Sequence, residues 1–192
     1  MLLLDEPFAS LDPTLRSEVR EEVRSLLRSV GTAAVMVSHD ISDALALGDR
    51  LAILRAGRIV QTDAPDAIHR RPVDEHVARI FGPVTALAVT GTEGAPVTVL
   101  GPVAPASVLR WATGPVALAR PHTVDVSNHR CRDGSGAAGT VRDRQFVGHG
   151  FRLVIALDDG VEVIADVASD APHDIGGRVV VRNRAALPPA AG

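Results

Sequence analysis

No lysine occurs anywhere in the 192 residues, so all twenty of the Lys and Arg positions are Arg. Every mechanism that requires a lysine amine is therefore excluded from this chain. A single cysteine, Cys131, permits no internal disulfide and suits a reducing compartment. A net charge of −3 gives no basic footprint for nucleic acid. No run approaches the roughly 18 apolar residues of a membrane span, and the opening Met1 to Leu4 is too short, and lacks the basic flank, for a signal peptide. What is present is a hydrophobic content of 46%, enough for one core of respectable size or two small ones in a soluble globular protein. The 13 Pro and 17 Gly fall mostly after residue 82, so the two ends of the chain differ in architecture.

The chain opens MLLLDEPFASLDP. Its apolar run has the character of a buried parallel strand, ends in two carboxylates, Asp5 and Glu6, and is stopped by Pro7. Asp12 followed by Pro13 predicts a helix start, an N-cap acceptor before a residue whose missing N–H costs nothing there. Leu15, Val19, Val23, Leu26, Leu27 and Val30 recur at three- and four-residue spacings with Arg and Glu between them, and Gly31 ends the helix. The interleaved charges of residues 16 to 28 read as a solvated face supported by i,i+4 pairs. TAAVMVS follows as a second buried strand, so strand, helix and strand imply a right-handed parallel unit. HDISDALALGDR reads as a short helix with Ile41, Ala44, Leu45 and Leu47 facing inward. RLAILRAGRIVQT reads as a hairpin turning at Ala56 and Gly57, and DAPDAIHRRP and VDEHVARIFG as two short helices. Residues 1–82 thus form an α/β piece.

From Pro83 onward the chain consists of short β-branched runs separated by Gly and Pro: TALAVTG, APVTVLG, GPVALARP, GTVRDRQFVG, FRLVIALDDG, VEVIADV and GRVVVRNR. This predicts a small barrel or sandwich. HRCRDGSGAAG reads as a loop and LPPAAG as a frayed tail.

Two acids at the carboxyl edge of a parallel strand stand where an open α/β sheet places its ligand chemistry. Neighbouring strand residues face opposite ways, so one acid can bind a metal while the other reaches a water; a helix-capping or solvated acid pair is the alternative. The next features add to this. LLLDEPFASLD, a helix, and then VMVSHD resemble the ATP-binding subunit of ABC transporters. The resemblance makes Leu2 to Glu6 the Walker B strand, Ser10, Leu11 and Asp12 the D-loop, and His39 the switch histidine. It implies a partial P-loop NTPase fold, with a parallel sheet remnant, that uses ATP and Mg²⁺. Asp5 would hold Mg²⁺, Glu6 would orient or deprotonate the attacking water, and His39 would contact the γ-phosphate. Ser10 and Asp12 would belong to the nucleotide site, Asp12 speaking across a dimer to the other subunit.

A P-loop, G-x-x-x-x-G-K-[ST], cannot exist without lysine, and neither the L-S-G-G-Q signature nor the Q-loop occurs in these residues. The acids thus read as the second half of a nucleotide site whose first half these residues do not encode, and the chain alone is expected to be inactive toward ATP. Residues 84–187 resemble the OB-like TOBE domain that follows the nucleotide-binding domain in many ABC importers, on Arg120, Pro121 and Val124 and the long hairpin after Gly139. The resemblance implies an importer of the ferric-iron or polyamine group. Its implied partners are transmembrane permease subunits, a second ATP-binding subunit in a homodimer and, indirectly, a periplasmic or lipid-anchored solute-binding protein. Its implied place is the cytoplasmic face of the cell membrane. The rival reading is a nonenzymatic regulatory or partner-binding TOBE module with a remnant ATPase segment. Nucleic-acid binding is not expected, because Trp111, Phe146 and Phe151 are the only aromatics of the second domain. Ser38, His39 and Asp40 are consecutive and diverge, so they make no triad. His129 and Cys131 offer at most two metal ligands.

Overall fold

The computed structural model describes residues 1–128 and 136–184. It divides into two compact units, one of Met1–Phe81 and one from Gly82 onward.

The first unit begins with β1 (Leu2–Asp5), α1 (Pro13–Val30) and β2 (Ala34–Val37). The strands pair in parallel, from Leu2 opposite Ala34 to Asp5 opposite Val37. The helix boundaries follow their local chemistry. Asp12 Oδ1 accepts from the N–H of Thr14 at 3.0 Å and of Leu15 at 3.1 Å, and Gly31 closes the helix at a left-handed φ of 65° that other residues adopt only with strain. Then come α2 (Ile41–Leu47), β3 (Leu51–Arg55), β4 (Arg58–Asp63), α3 (Pro65–Arg70) and α4 (Glu75–Ile80). The β3–β4 hairpin turns on Ala56 and Gly57, both at positive φ, which matches the twist of the flanking strands. Its core is small: Leu51, Ile68 and Val77, with Ile41, Ala44, Ile53, Val60 and Phe81 packed against them.

Three expectations fail here. Neither strand of the parallel pair is buried, Leu3 being 67% exposed and Val35 54%. Leu45 does not face inward but is 48% exposed, and the fully buried residue of α2 is Asp43. Nor is the Arg face of α1 simply solvated: Arg16 and Arg20 reach across to Asp40 and Asp43 instead of pairing along their own helix. The i,i+4 pairs lie elsewhere, Arg70 with Asp66 and Arg79 with Glu75.

The second unit is β-rich. Its strands are β5 (Thr85–Ala88), β6 (Thr90–Thr92), β7 (Ala95–Thr98), β8 (Gly101–Pro102), β9 (Leu109–Trp111), β10 (Gly114–Ala119), β11 (Val124–Ser127), β12 (Ala137–Phe146), β13 (Gly150–Leu157), β14 (Glu162–Ala168) and β15 (Arg178–Asn183). The largest sheet has the order β11-β15-β12-β13-β14, every pair antiparallel, and its two edge strands approach one another as in an OB-like barrel. Alternation along β13 and β14 sends Leu153, Ile155, Val163 and Ala165 inward, where they meet Val141, Val179, Val181, Val124 and Leu100. Two smaller sheets, β5-β10-β9 and β6-β7-β8, complete the unit. His129, Cys131 and the LPPAAG tail lie outside the described residues.

Candidate nucleotide site at the ends of the parallel strands

Parallel pairing brings the carboxyl ends of β1 and β2 side by side, and with them the segments that leave each strand. Glu6 is the first residue beyond β1. Its N–H donates to Val37 O at 2.9 Å, extending the ladder by one bond, but its own φ is +46°. The strand therefore ends at Asp5, and Glu6 is not an alternating strand residue as expected; the left-handed backbone re-aims its side chain. A non-glycine residue held in this region stores strain of about 1–3 kcal/mol, which the surrounding structure must over-determine. Pro7 and the buried Phe8, 2% exposed, supply that constraint, with Ala9 N–H and Leu11 N–H returning to Glu6 O and Phe8 O.

His39 leaves the end of β2 and its Nδ1 lies 2.9 Å from Glu6 Oε1. The imidazole is 76% exposed and Glu6 34%, so the contact is an open one. The hydrogen bond that His39 donates to Glu6, then the charge of the same carboxylate, holds the His39 pKa above its ordinary value, against the opposing effect of burial. A protonated His39 can keep Nδ1–H on Glu6 and offer Nε2–H to an anion, because among the described residues nothing bonds Nε2.

The remaining expected residues are placed differently. Asp5 is exposed as the last residue of β1. Ser10 is exposed in the loop that follows. The carboxylate of Asp12 is committed to capping α1. Glu6 and His39 are thus brought together, and among the described residues no hydrogen bond or ion pair joins Ser10 or Asp12 to them. Among the described residues no group of three or more His, Cys, Asp or Glu converges as a metal centre. Ser38 and Asp40 likewise do other work: Asp40 N-caps α2 through Ser42 N–H at 2.8 Å and takes Arg16 Nη1 at 2.7 Å. The hydrogen bond from Ser42 leads the causes that hold the Asp40 carboxyl below its usual range.

Sequence reasoning missed Asp43, Arg16 and Arg20. The signal was available in the spacing: two Arg four residues apart on one face of α1, and two Asp three apart at the start of α2.

Residues 117–187 match the TOBE domain family. The Fe(3+) ions import ATP-binding protein FbpC of Pseudomonas fluorescens is 35% identical over 190 residues, which cover 95% of this chain and 52% of that protein. FbpC 3 of Rhodococcus jostii, also named a Fe(3+) ions import ATP-binding protein, is 35% identical over 83% of this chain and 45% of its own length. The spermidine/putrescine import ATP-binding protein PotA of Methylococcus capsulatus is 35% identical over 85% of this chain and 44% of its own length. The chain spans about half the length of these relatives, between 44% and 52%. Among the described residues no helix is long and apolar enough to cross a membrane. Over most of its length, then, the chain is a homologue of the ATP-binding proteins of ABC importers, and it carries a TOBE domain.

Proposed function

We propose that this chain supplies the Walker B, D-loop and switch-histidine portion of the nucleotide site of an ABC importer, together with its TOBE domain. The observation that carries the reading is the Glu6–His39 contact of 2.9 Å, which joins the ends of two adjacent parallel strands. In this reading Glu6 accepts a proton from, or orients, the attacking water, and His39 donates to a terminal phosphate oxygen. Their mutual hydrogen bond keeps both aimed at one point.

Asp5 offers a single exposed carboxylate. That suits Mg²⁺, which takes one or two protein carboxylates and leaves its other positions to water and phosphate, and whose contribution when bound is to neutralise phosphate charge. The lysine of a phosphate cradle must come from residues other than these 192. Transmembrane permease subunits and a second ATP-binding subunit, at the cytoplasmic face of the membrane, are the partners this role requires. Ferric ion and polyamines, the solutes in the names of its relatives, are the proposed cargo class.

The test joins residues 1–192 behind the P-loop half of the Pseudomonas fluorescens relative and follows phosphate release. The chimera should turn over ATP where the 192 residues alone do not. Glu6→Gln should keep nucleotide binding while slowing release about 10²- to 10⁴-fold, the range for an aligned proton-transfer group. Wild-type turnover in Glu6→Gln would reject the assignment of the carboxylate.

A further inference from the structure

Asp43 lies in a seven-residue helix with 2% of its surface exposed. A buried carboxylate is costly unless it is paired and hydrogen-bonded, and the apolar contacts of α2 are already supplied by Ile41 and Ala44. What Asp43 does hold is a turn. Ser38 Oγ donates to its Oδ2 at 2.9 Å, and Arg20 Nη1 stands 3.2 Å from its Oδ1 without the alignment of a hydrogen bond, so Oδ1 is held by charge alone. Ser38 Oγ also accepts from Asp40 N–H at 3.1 Å, and Asp40 is fastened by Arg16. The turn is therefore tied on both sides of His39. His39 itself is exposed and has no packing to select its rotamer, so the backbone that presents it must do so.

We infer that Asp43 is a positioning residue: anchored by Arg20 and acting through Ser38, it fixes the Ser38–Asp40 turn so that His39 Nδ1 meets Glu6. The inference rests on the reading of Glu6 and His39 as nucleotide-site groups. It gives Arg16 and Arg20 of α1 a shared task, clamping the loop that carries the switch histidine from the helix between the two strands.

The tautomer of His39 reports the arrangement. A carboxylate only accepts, so neutral His39 bonded to Glu6 must carry its proton on Nδ1, whereas a free imidazole favours Nε2. Nitrogen-15 NMR of the full chain, above the His39 titration midpoint and with the signal identified by its loss in His39→Asn, reads this directly. The wild-type protein should show Nδ1–H. Glu6→Ala, Asp43→Ala and Ser38→Ala should each shift His39 to the Nε2–H form, and Ser38→Thr, which keeps the hydroxyl, should retain the wild-type pattern. Should Asp43→Ala lose the fold of the first unit, the contrast between Ser38→Ala and Ser38→Thr decides the matter, since neither removes a charge. Retention of Nδ1–H in a folded Ser38→Ala, with Glu6→Ala still shifting it, overturns the positioning role and leaves the site reading standing. A wild-type His39 already in the Nε2–H form overturns both.

Discussion

At the scale of single residues, the Glu6–His39 pair makes a pH-dependent statement. The His39 pKa is raised above 6.5, first by its hydrogen bond to Glu6 and then by that carboxylate's charge. A group whose folded pKa is raised stabilises the folded state fully below its unfolded value, and that contribution is lost as pH rises through the folded midpoint. Because the imidazole is open to solvent, the effect is small and falls with salt. Proton NMR should place the His39 midpoint above the ordinary value at low salt, with Glu6→Gln bringing it back. A wild-type midpoint at 6.5 would mean that the pair does not persist in solution. Asp40 works in the opposite sense: its lowered pKa, caused first by the Ser42 N–H, adds stability above the unfolded carboxylate range that is lost as pH falls.

At the scale of elements, what could be read in advance was what is decided locally. Asp12–Pro13, Gly31 and Ala56–Gly57 each act within a few residues, and each stands where the spacing predicts. Asp43, Leu45 and Glu6 were not legible, since their states depend on partners distant in sequence. An apolar stripe cannot reveal that Arg16 and Arg20 would cross to α2 and draw an acid inward, nor can alternation show that the strand ends one residue before Glu6. The short strands β8 and β9 also escaped notice, having two and three residues, too few for a period. Of the site, the types and order of residues were readable, while the joining of Glu6 to His39 required the parallel register. Asp12 combines both levels, as a cap and as a D-loop candidate. Asp12→Ala should cost the first unit about 0.5–2 kcal/mol, whereas Asp12→Asn, still able to accept from Thr14 and Leu15, should cost little. Urea unfolding followed by helical circular dichroism checks this, and equal midpoints for wild type and Asp12→Ala would show the cap to be dispensable.

At the scale of the whole molecule, the two units differ in how well they cover their apolar residues. Among the described residues the β-rich unit gathers twelve buried residues into one cluster, against a cluster of three in the first unit. In the parallel pair Leu3 is 67% exposed, Val35 54% and Val37 57%. Each large apolar side chain left in water forgoes about 1.5–3 kcal/mol, and a domain's whole stability is only about 5–15 kcal/mol. We propose a boundary near Pro83 with independent folding of residues 84–187. As a separate polypeptide they should give a β-type circular dichroism spectrum and one sharp melting transition, and in the full chain the first unit should lose structure at lower temperature. A disordered spectrum from residues 84–187, beside a well-folded full chain, would overturn the boundary. The parallel register also sets an order of events. The β3–β4 hairpin closes over two residues and can form within about 1–10 μs of the chain being released to fold. Leu2 meets Ala34 only after the whole of α1 has carried the chain back, a closure whose entropy is spent before any strand bond rewards it. Glu6 and His39 thus occupy the late-assembling seam of their unit, and the speed at which a newly made chain acquires them is governed by the helix between them rather than by either residue.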